Sequence, residues 1–148
     1  MSGTVELHRV IKAPVNRVFK AFSDPAAKAA WLPPFGFTAT VHSMDFKVGG
    51  TYRMSFTNFT TGNSHSFGGK FLEIKPDALI RFTDKFEDPN MPGEIMVTIH
   101  FKPVMCGTEI RIKQENLPAM IPVEMCYLGW QESLTKLMQL VEPEIKEG

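Results

Sequence analysis

The sequence is poor in cysteine, in net charge and in long apolar runs, and each shortage excludes a class of protein. The 148 residues include two cysteines, Cys106 and Cys126, which are too few for a disulfide framework. Sixteen basic and sixteen acidic residues give no net charge at pH 7, so we expect neither nucleic acid nor an anionic membrane surface as a partner. No apolar run approaches the ~20 residues that span a bilayer, so membrane insertion is not expected.

The remaining composition is that of a globular protein. Hydrophobic residues make up 43% of the chain and charged residues 22%, which is ordinary for such proteins. The length fits one domain over residues 1–148. The first residues lack the basic segment and apolar run of a secretory signal. With two free thiols, this predicts a cytoplasmic protein.

The end of the sequence predicts one long amphipathic helix over residues 122–141. Its apolar residues recur at helical spacing on one face: Val123, Tyr127, Trp130, Leu134, Leu137 and Val141. Such a stripe is expected to be buried against the sheet that the preceding strands form. A long helix laid across a curved sheet leaves space beneath it, and this space is where we expect a binding site.

The rest of the sequence predicts a first strand, two short helices and a meander. The first strand covers residues 4–11, one helix begins at Ala13-Pro14, and a second follows the Asp24-Pro25 start signal and ends near Trp31. Turn residues separate six further strands, and their short connections predict antiparallel neighbours. These strands are expected at residues 38–46, 51–59, 64–75, 78–86, 94–104 and 108–114.

Alternation within the strands predicts one dry and one wet face of the sheet. The apolar residues that we expect on the dry face are Tyr52, Met54, Phe56, Val97, Ile99, Phe101, Ile110 and Ile112. Over residues 67–74 the pattern is ambiguous, because Phe67 and Phe71 compete with Leu72 and Ile74 for the inward positions.

Catalytic and metal-binding patterns are weak. The histidines, at positions 8, 42, 65 and 100, fall on four different predicted strands without ligand-like spacing. Two glycine pairs, at 49–50 and 68–69, match neither phosphate-binding nor dinucleotide-binding motifs. No carboxylate pair or carboxylate–histidine pair suggests an acid and a base. We therefore predict no metal, no cofactor and no catalytic residue, while His42, Asn58 and His65 face either the cavity or its rim.

Several spaced motifs resemble one protein superfamily. They are VIKAP at 10–14, VFKAFSDP at 18–25 followed by Trp31, DFKVGGTYR at 45–53, GKFLEIKP at 69–76 and GWQESLTKL at 129–137. Together with the element order they resemble the START-like (SRPBCC) superfamily over about residues 4–141. The nearest subgroup is the one similar to the C-terminal domain of the heat-shock-protein-90 ATPase activator.

The resemblance implies a fold and a choice of functions. The implied fold is the α+β helix-grip fold, a curved antiparallel sheet wrapped around a long C-terminal helix, with two short helices after the first strand. Members of the superfamily bind lipids, hormones or polyketides. We therefore expect a small hydrophobic or amphipathic ligand between sheet and helix. The alternatives are a co-chaperone module that contacts a chaperone and, third, a cyclase or hydrolase.

The predicted binding residues combine the dry face of the sheet with the inner face of the helix. Gly129 is included because a missing side chain there leaves volume. Trp31, Leu32, Phe35 and Phe37 surround Pro33-Pro34 as a hydrophobic lid or gate, with Trp31 and Phe37 at the mouth. The predicted lining is Trp31, Phe37, Tyr52, Met54, Phe56, Phe82, Val97, Ile99, Phe101, Met125, Leu128 and Gly129.

Overall fold

The structure, a computed structural model, describes residues 3–147 and has the predicted order of elements over that range. The first strand is followed by two short helices, six more strands and a long final helix. The elements are β1 (Gly3–Ile11), α1 (Val15–Ser23), α2 (Pro25–Trp31), β2 (Phe37–Met44), β3 (Thr51–Asn58), β4 (Ser64–Lys75), β5 (Leu79–Phe86), β6 (Ile95–Val104), β7 (Gly107–Leu117) and α3 (Val123–Val141).

The seven strands form one curved antiparallel sheet in the order β1-β7-β6-β5-β4-β3-β2. Strands β2 to β7 each pair with the next along the chain, as their short connections predict. The first strand, β1, forms one edge of the sheet and pairs with β7. Helix α3 packs against β1 and both short helices, and α2 also contacts β2. This confirms the predicted α+β helix-grip fold.

The predicted dry face of the sheet forms much of the core. Val97, Ile99 and Phe101 are buried on β6, while Ile110 and Ile112 are buried on β7. Their strand neighbours His100 and Arg111 are exposed. The apolar alternation was therefore a correct guide to which side of these strands faces inward.

A register shift in β4 explains the ambiguous pattern at residues 67–74. Phe67 and Phe71 are buried and share one parity. The pairing with β5 then shifts between Phe71 and Glu73, so Leu72 is exposed and Ile74 packs against the core. An extra residue in a strand reverses the parity that follows it, which is why both readings of the sequence had support.

The predicted apolar stripe of α3 is correct over its C-terminal half. Leu134, Leu137 and Val141 are buried, whereas Val123 and Trp130 are half-buried. The prediction that Tyr127 is buried was wrong, because its side chain is 40% exposed. In the N-terminal half of α3, Cys126 and Gly129 line an opening in the fold, whereas Val123 and Trp130 pack against the edge of the core. None of the helices within residues 3–147 has the length and apolarity required to cross a membrane.

Candidate functional site

An apolar cavity lies between the sheet, the N-terminal half of α3 and the segment that follows α2. Its volume is about 170 Å³ and it opens to solvent. We call it the outer cavity. Aromatic residues from β3, β4 and β5 form one wall, and residues of α3 form the other. The lining residues are Leu32, Pro34, Phe56, His65, Phe67, Asp84, Phe86, Gln114, Cys126, Gly129, Trp130 and Ser133.

A smaller space, the inner chamber, continues the outer cavity toward the core. Its volume is about 40 Å³. Five residues line both spaces, namely Leu32, Phe67, Asp84, Gln114 and Trp130, so the two adjoin. The chamber is otherwise lined by Phe22, Lys28, Trp31, Tyr52, Phe82, Val97 and Ile99.

Residues 32–36, which we call the lid, cover one side of the outer cavity and are held by α3. The Ser133 hydroxyl donates to the Leu32 carbonyl at 2.6 Å, and the Lys136 ammonium donates to the Pro33 carbonyl at 2.8 Å. The Phe35 amide donates to a carboxylate oxygen of Glu132 at 3.2 Å. Glu132 and Lys136, four residues apart on α3, therefore both bind the lid.

The wall formed by α3 has a gap at Gly129. A Cβ atom built on Gly129 would have no heavy atom within 4 Å, so the missing side chain leaves open space and not a tight helix–sheet contact. One turn earlier, Cys126 is half-buried, and burial raises the pKa of its thiol. Trp130 donates from its indole nitrogen to the Gln114 side-chain oxygen at 3.0 Å, which fixes the ring between cavity and chamber.

Lys28 brings a positive charge into the inner chamber. The side chain projects from α2, and the residue is only 4% exposed. Its ammonium lies over three aromatic rings, 4.9 Å from the centre of Tyr52, 5.2 Å from Phe82 and 5.7 Å from Phe71. Burial lowers the pKa of Lys28 to about 8, and the negative charge of Asp84 partly offsets this. The rings favour the cationic form, because their faces carry negative potential.

Asp84 brings a carboxyl group to the same chamber from β5. Its Oδ1 atom is buried and has no hydrogen-bond partner among the described residues. Burial raises the pKa of Asp84 to about 6, although the nearby Tyr52 hydroxyl and Lys28 act in the opposite direction. Burial, followed by the proximity of Asp84, raises the pKa of Tyr52 well above its ordinary value, so this phenol stays neutral.

Gly69 in β4 allows a close approach to β5 at Thr83, the residue next to Asp84. A Cβ atom on Gly69 would lie 1.8 Å from the Thr83 carbonyl oxygen, so no other residue fits there without a shift. The same carbonyl accepts a hydrogen bond from the Tyr52 hydroxyl at 3.0 Å. Thr83 also accepts from the Lys70 amide at 3.0 Å through its side chain. These contacts fix the backbone of β5 beside Asp84.

Seven of the twelve predicted binding residues line one of these spaces. Phe56 and Gly129 line the outer cavity, whereas Trp31, Tyr52, Phe82, Val97 and Ile99 line the inner chamber. Of these seven, only Trp31 was predicted at a different place, because the sequence put it at the mouth of the cavity. Trp31 is fully buried, and its indole donates to the Ala21 carbonyl at 2.8 Å.

The other five predicted residues lie elsewhere. Met54 and Phe101 are buried in the core, and Phe101 stacks edge-on against Phe19 and Phe22. Phe37 is half-buried, with its ring 6.5 Å from that of Phe56 near the opening. Met125 and Leu128 are 65% and 54% exposed on the outer face of α3.

Sequence reasoning missed the two charged residues of the chamber, although a signal for each existed. Lys28 precedes Trp31 by three residues in α2, and that spacing places both on one face of a helix. Asp84 shares strand parity with Phe82 and Phe86, which places it inward. A charged residue at an inward position is unusual enough to mark a site.

The polar residues that the sequence left open lie at the rim or outside the cavity. His65 is exposed and lines the outer cavity, and partial burial lowers the pKa of its ring. His42 is exposed and contacts the Ser55 hydroxyl at 2.6 Å, while the Asn58 side chain accepts from the backbone of the following turn. Across residues 3–147, His, Cys, Asp and Glu side chains form no group of three or more suited to a metal ion.

One known protein family matches most of the chain. The profile of the family described as "Activator of Hsp90 ATPase homolog 1-like protein" matches residues 12–142. The chain belongs to this family. The match includes α1 to β7 and all of α3, so both walls of the cavity and the lid lie within it. No curated protein matches the chain.

Solved structures with the same fold come from several bacteria. A protein from Chromobacterium violaceum is 50% identical, with 95% of this chain and 98% of that one covered and a TM-score of 0.94. A protein from Rhizobium leguminosarum is 25% identical, with 97% of each chain covered and a TM-score of 0.79. A protein from Nitrosomonas europaea, at 24% identity, 94% coverage of each chain and a TM-score of 0.80, shows the fold alone.

Proposed function

We propose that this protein binds a small apolar or amphipathic molecule in the outer cavity, with one end in the inner chamber. The observation that carries the proposal is the open space at Gly129, on a helix face that turns toward the sheet. The space opens to solvent, is lined mainly by apolar side chains and has a volume of about 170 Å³, several times what one water molecule occupies. Apolar cavities of roughly this size bind molecules such as benzene.

The lining supports an apolar ligand body. Phe56, Phe67 and Phe86 present ring surfaces to the cavity, and Trp130 adds a fourth aromatic ring. Burying apolar area is worth about 25 cal/mol per Å², so these rings are the main source of affinity. The few polar groups that line the spaces set the orientation of the ligand.

Methyl NMR with toluene as the probe tests this proposal at individual residues. Leu32 lines both spaces, whereas Leu128 and Leu140 are exposed on α3 and Leu134 is in the core. In protein with labelled leucine methyl groups, toluene should shift the Leu32 signals saturably and leave those of Leu128 and Leu140 unchanged. Shifts confined to Leu128 or Leu140 would contradict the proposed site.

A second candidate function is contact with a chaperone ATPase, in line with the family description. The supporting observation is a set of exposed apolar residues at the start of α3, where Met120, Met125 and Leu128 are each more than half exposed. If this surface binds a chaperone, the paired substitution Met125→Glu and Leu128→Glu should abolish stimulation of its ATPase. The toluene shifts at Leu32 should persist in that variant.

A further inference from the structure

Two oppositely charged groups share the inner chamber without pairing directly. Among residues 3–147, neither a hydrogen-bond acceptor nor a carboxylate within ion-pair distance serves the Lys28 ammonium, whose neighbours are the three aromatic rings. Asp84 Oδ1 is buried without a donor in the same part of the chain. A buried polar atom without a partner costs free energy, so Asp84 Oδ1 favours a molecule that supplies a donor. The Lys28 ammonium lies over ring faces and has N–H donors left for the same molecule.

The charges define the head group that fits between them. A ligand carboxylate would accept from Lys28 but would face the Asp84 carboxylate, and a ligand ammonium would face Lys28. A hydroxyl meets both requirements, since its oxygen accepts one hydrogen bond while its hydrogen is donated in another. A space of 40 Å³ has room for such a group.

We propose that the ligand is an uncharged alcohol or phenol, whose hydroxyl accepts from Lys28 and donates to Asp84 while its apolar body fills the outer cavity. This deepens the proposed function and rests on it. The two spaces adjoin, because Phe67, Asp84 and Trp130 line both. One ligand can therefore place its apolar body in the outer cavity and its hydroxyl in the inner chamber. The lowered pKa of Lys28 and the raised pKa of Asp84 agree, as each charge lacks solvation.

The test compares ligands with one body and different head groups. Dissociation constants are measured by calorimetry at pH 7 for toluene, p-cresol, 4-methylbenzoate, 4-methylbenzylamine and 4-methylbenzamide. We expect p-cresol to bind at least tenfold more tightly than toluene, a difference of about 1.4 kcal/mol. Both charged ligands and the amide should bind more weakly than p-cresol.

Two variants should change the preference in opposite directions. Asp84→Asn removes the repulsion of a carboxylate, so 4-methylbenzoate should gain about tenfold in affinity. Lys28→Met removes the repulsion of a cation, so 4-methylbenzylamine should gain by a similar factor. The matched controls, Asp45→Asn and Lys47→Met, alter an exposed ion pair and should leave all five affinities unchanged.

The outcomes separate this inference from the proposed function. Equal affinities for toluene and p-cresol would overturn the hydroxyl assignment, although toluene binding would still support the cavity. Tighter binding of the amide or of either charged ligand also overturns it. If none of the five binds, the proposed function fails. The affinities of the wild-type protein for the five ligands test the hydroxyl assignment even if Lys28→Met does not fold.

Discussion

The two halves of α3 differ in what lies beneath them. The C-terminal half buries Leu134, Leu137 and Val141 in a filled core. The N-terminal half presents Gly129 and Cys126 to an open cavity and leaves Leu128 exposed on its outer face. The same helix therefore anchors the fold at one end and covers the outer cavity at the other. Stability is expected to depend on the first half and ligand affinity on the second.

Alanine substitutions should show the largest contrast between the halves. Leu137 is fully buried, so Leu137→Ala should lower the free energy of unfolding by about 2–5 kcal/mol through lost burial and the cavity created. Leu128→Ala, on the exposed face, should change it by no more than about 0.5 kcal/mol. Chemical denaturation measures both. Similar losses in the two variants would mean that the helix is uniformly part of the core.

The cavity end should also carry a pH dependence that the core end lacks. Between pH 3.8 and about 6, Asp84 is protonated in the folded protein and ionised in the unfolded chain. The folded state then binds the extra proton, so the contribution of Asp84 to the free energy of unfolding falls as pH rises through this window. At 1.36 kcal/mol per pKa unit, the fall is about 3 kcal/mol.

Asp84→Asn removes this contribution. From pH 3.5 to pH 7, the variant should therefore gain about 3 kcal/mol in free energy of unfolding relative to the wild type. Urea unfolding of both proteins at several pH values measures the difference. A difference that stays constant across the window would show that the Asp84 carboxyl is well solvated.

The lid contacts should give a smaller effect. Ser133→Ala removes the hydroxyl that donates to Leu32 and should cost about 1 kcal/mol of unfolding free energy. It should also speed toluene dissociation, because the lid loses one of its attachments to α3. Ser23→Ala, whose hydroxyl donates to Lys20 on an exposed surface, is the matched control. Equal toluene dissociation rates in the two variants would show that the lid does not limit exchange.

The order and approximate bounds of the helices and strands were predicted well from the sequence, because they depend on local signals. The turn residues on either side predicted the bounds of β4, Ser64–Lys75, as the structure has them. Asp24 and Pro25 marked the start of α2, and the Asp24 carboxylate indeed accepts from the Ala26 amide at 3.0 Å. These patterns concern neighbours along the chain, so one sequence is sufficient to read them.

The candidate site was less accessible from the sequence, because it depends on distant contacts. Lys28 and Asp84 lie far apart in the chain and share the inner chamber only because α2 packs against the sheet. Glu132 and Lys136 look like an ordinary solvated pair at helical spacing, yet each binds the lid. The prediction of Gly129 as a source of volume rested on an absent side chain, and the structure leaves open space there.

Filling the gap at Gly129 tests the central claim most directly. Gly129→Leu should occupy the outer cavity, while helix propensity improves by about 0.8–1 kcal/mol, so the variant should stay folded. Gln139→Leu adds the same residue to the exposed end of α3 and serves as the control. By calorimetry with toluene, we predict at least tenfold weaker binding in Gly129→Leu and unchanged binding in Gln139→Leu. Unchanged binding in a folded Gly129→Leu protein would contradict a ligand site beneath this helix.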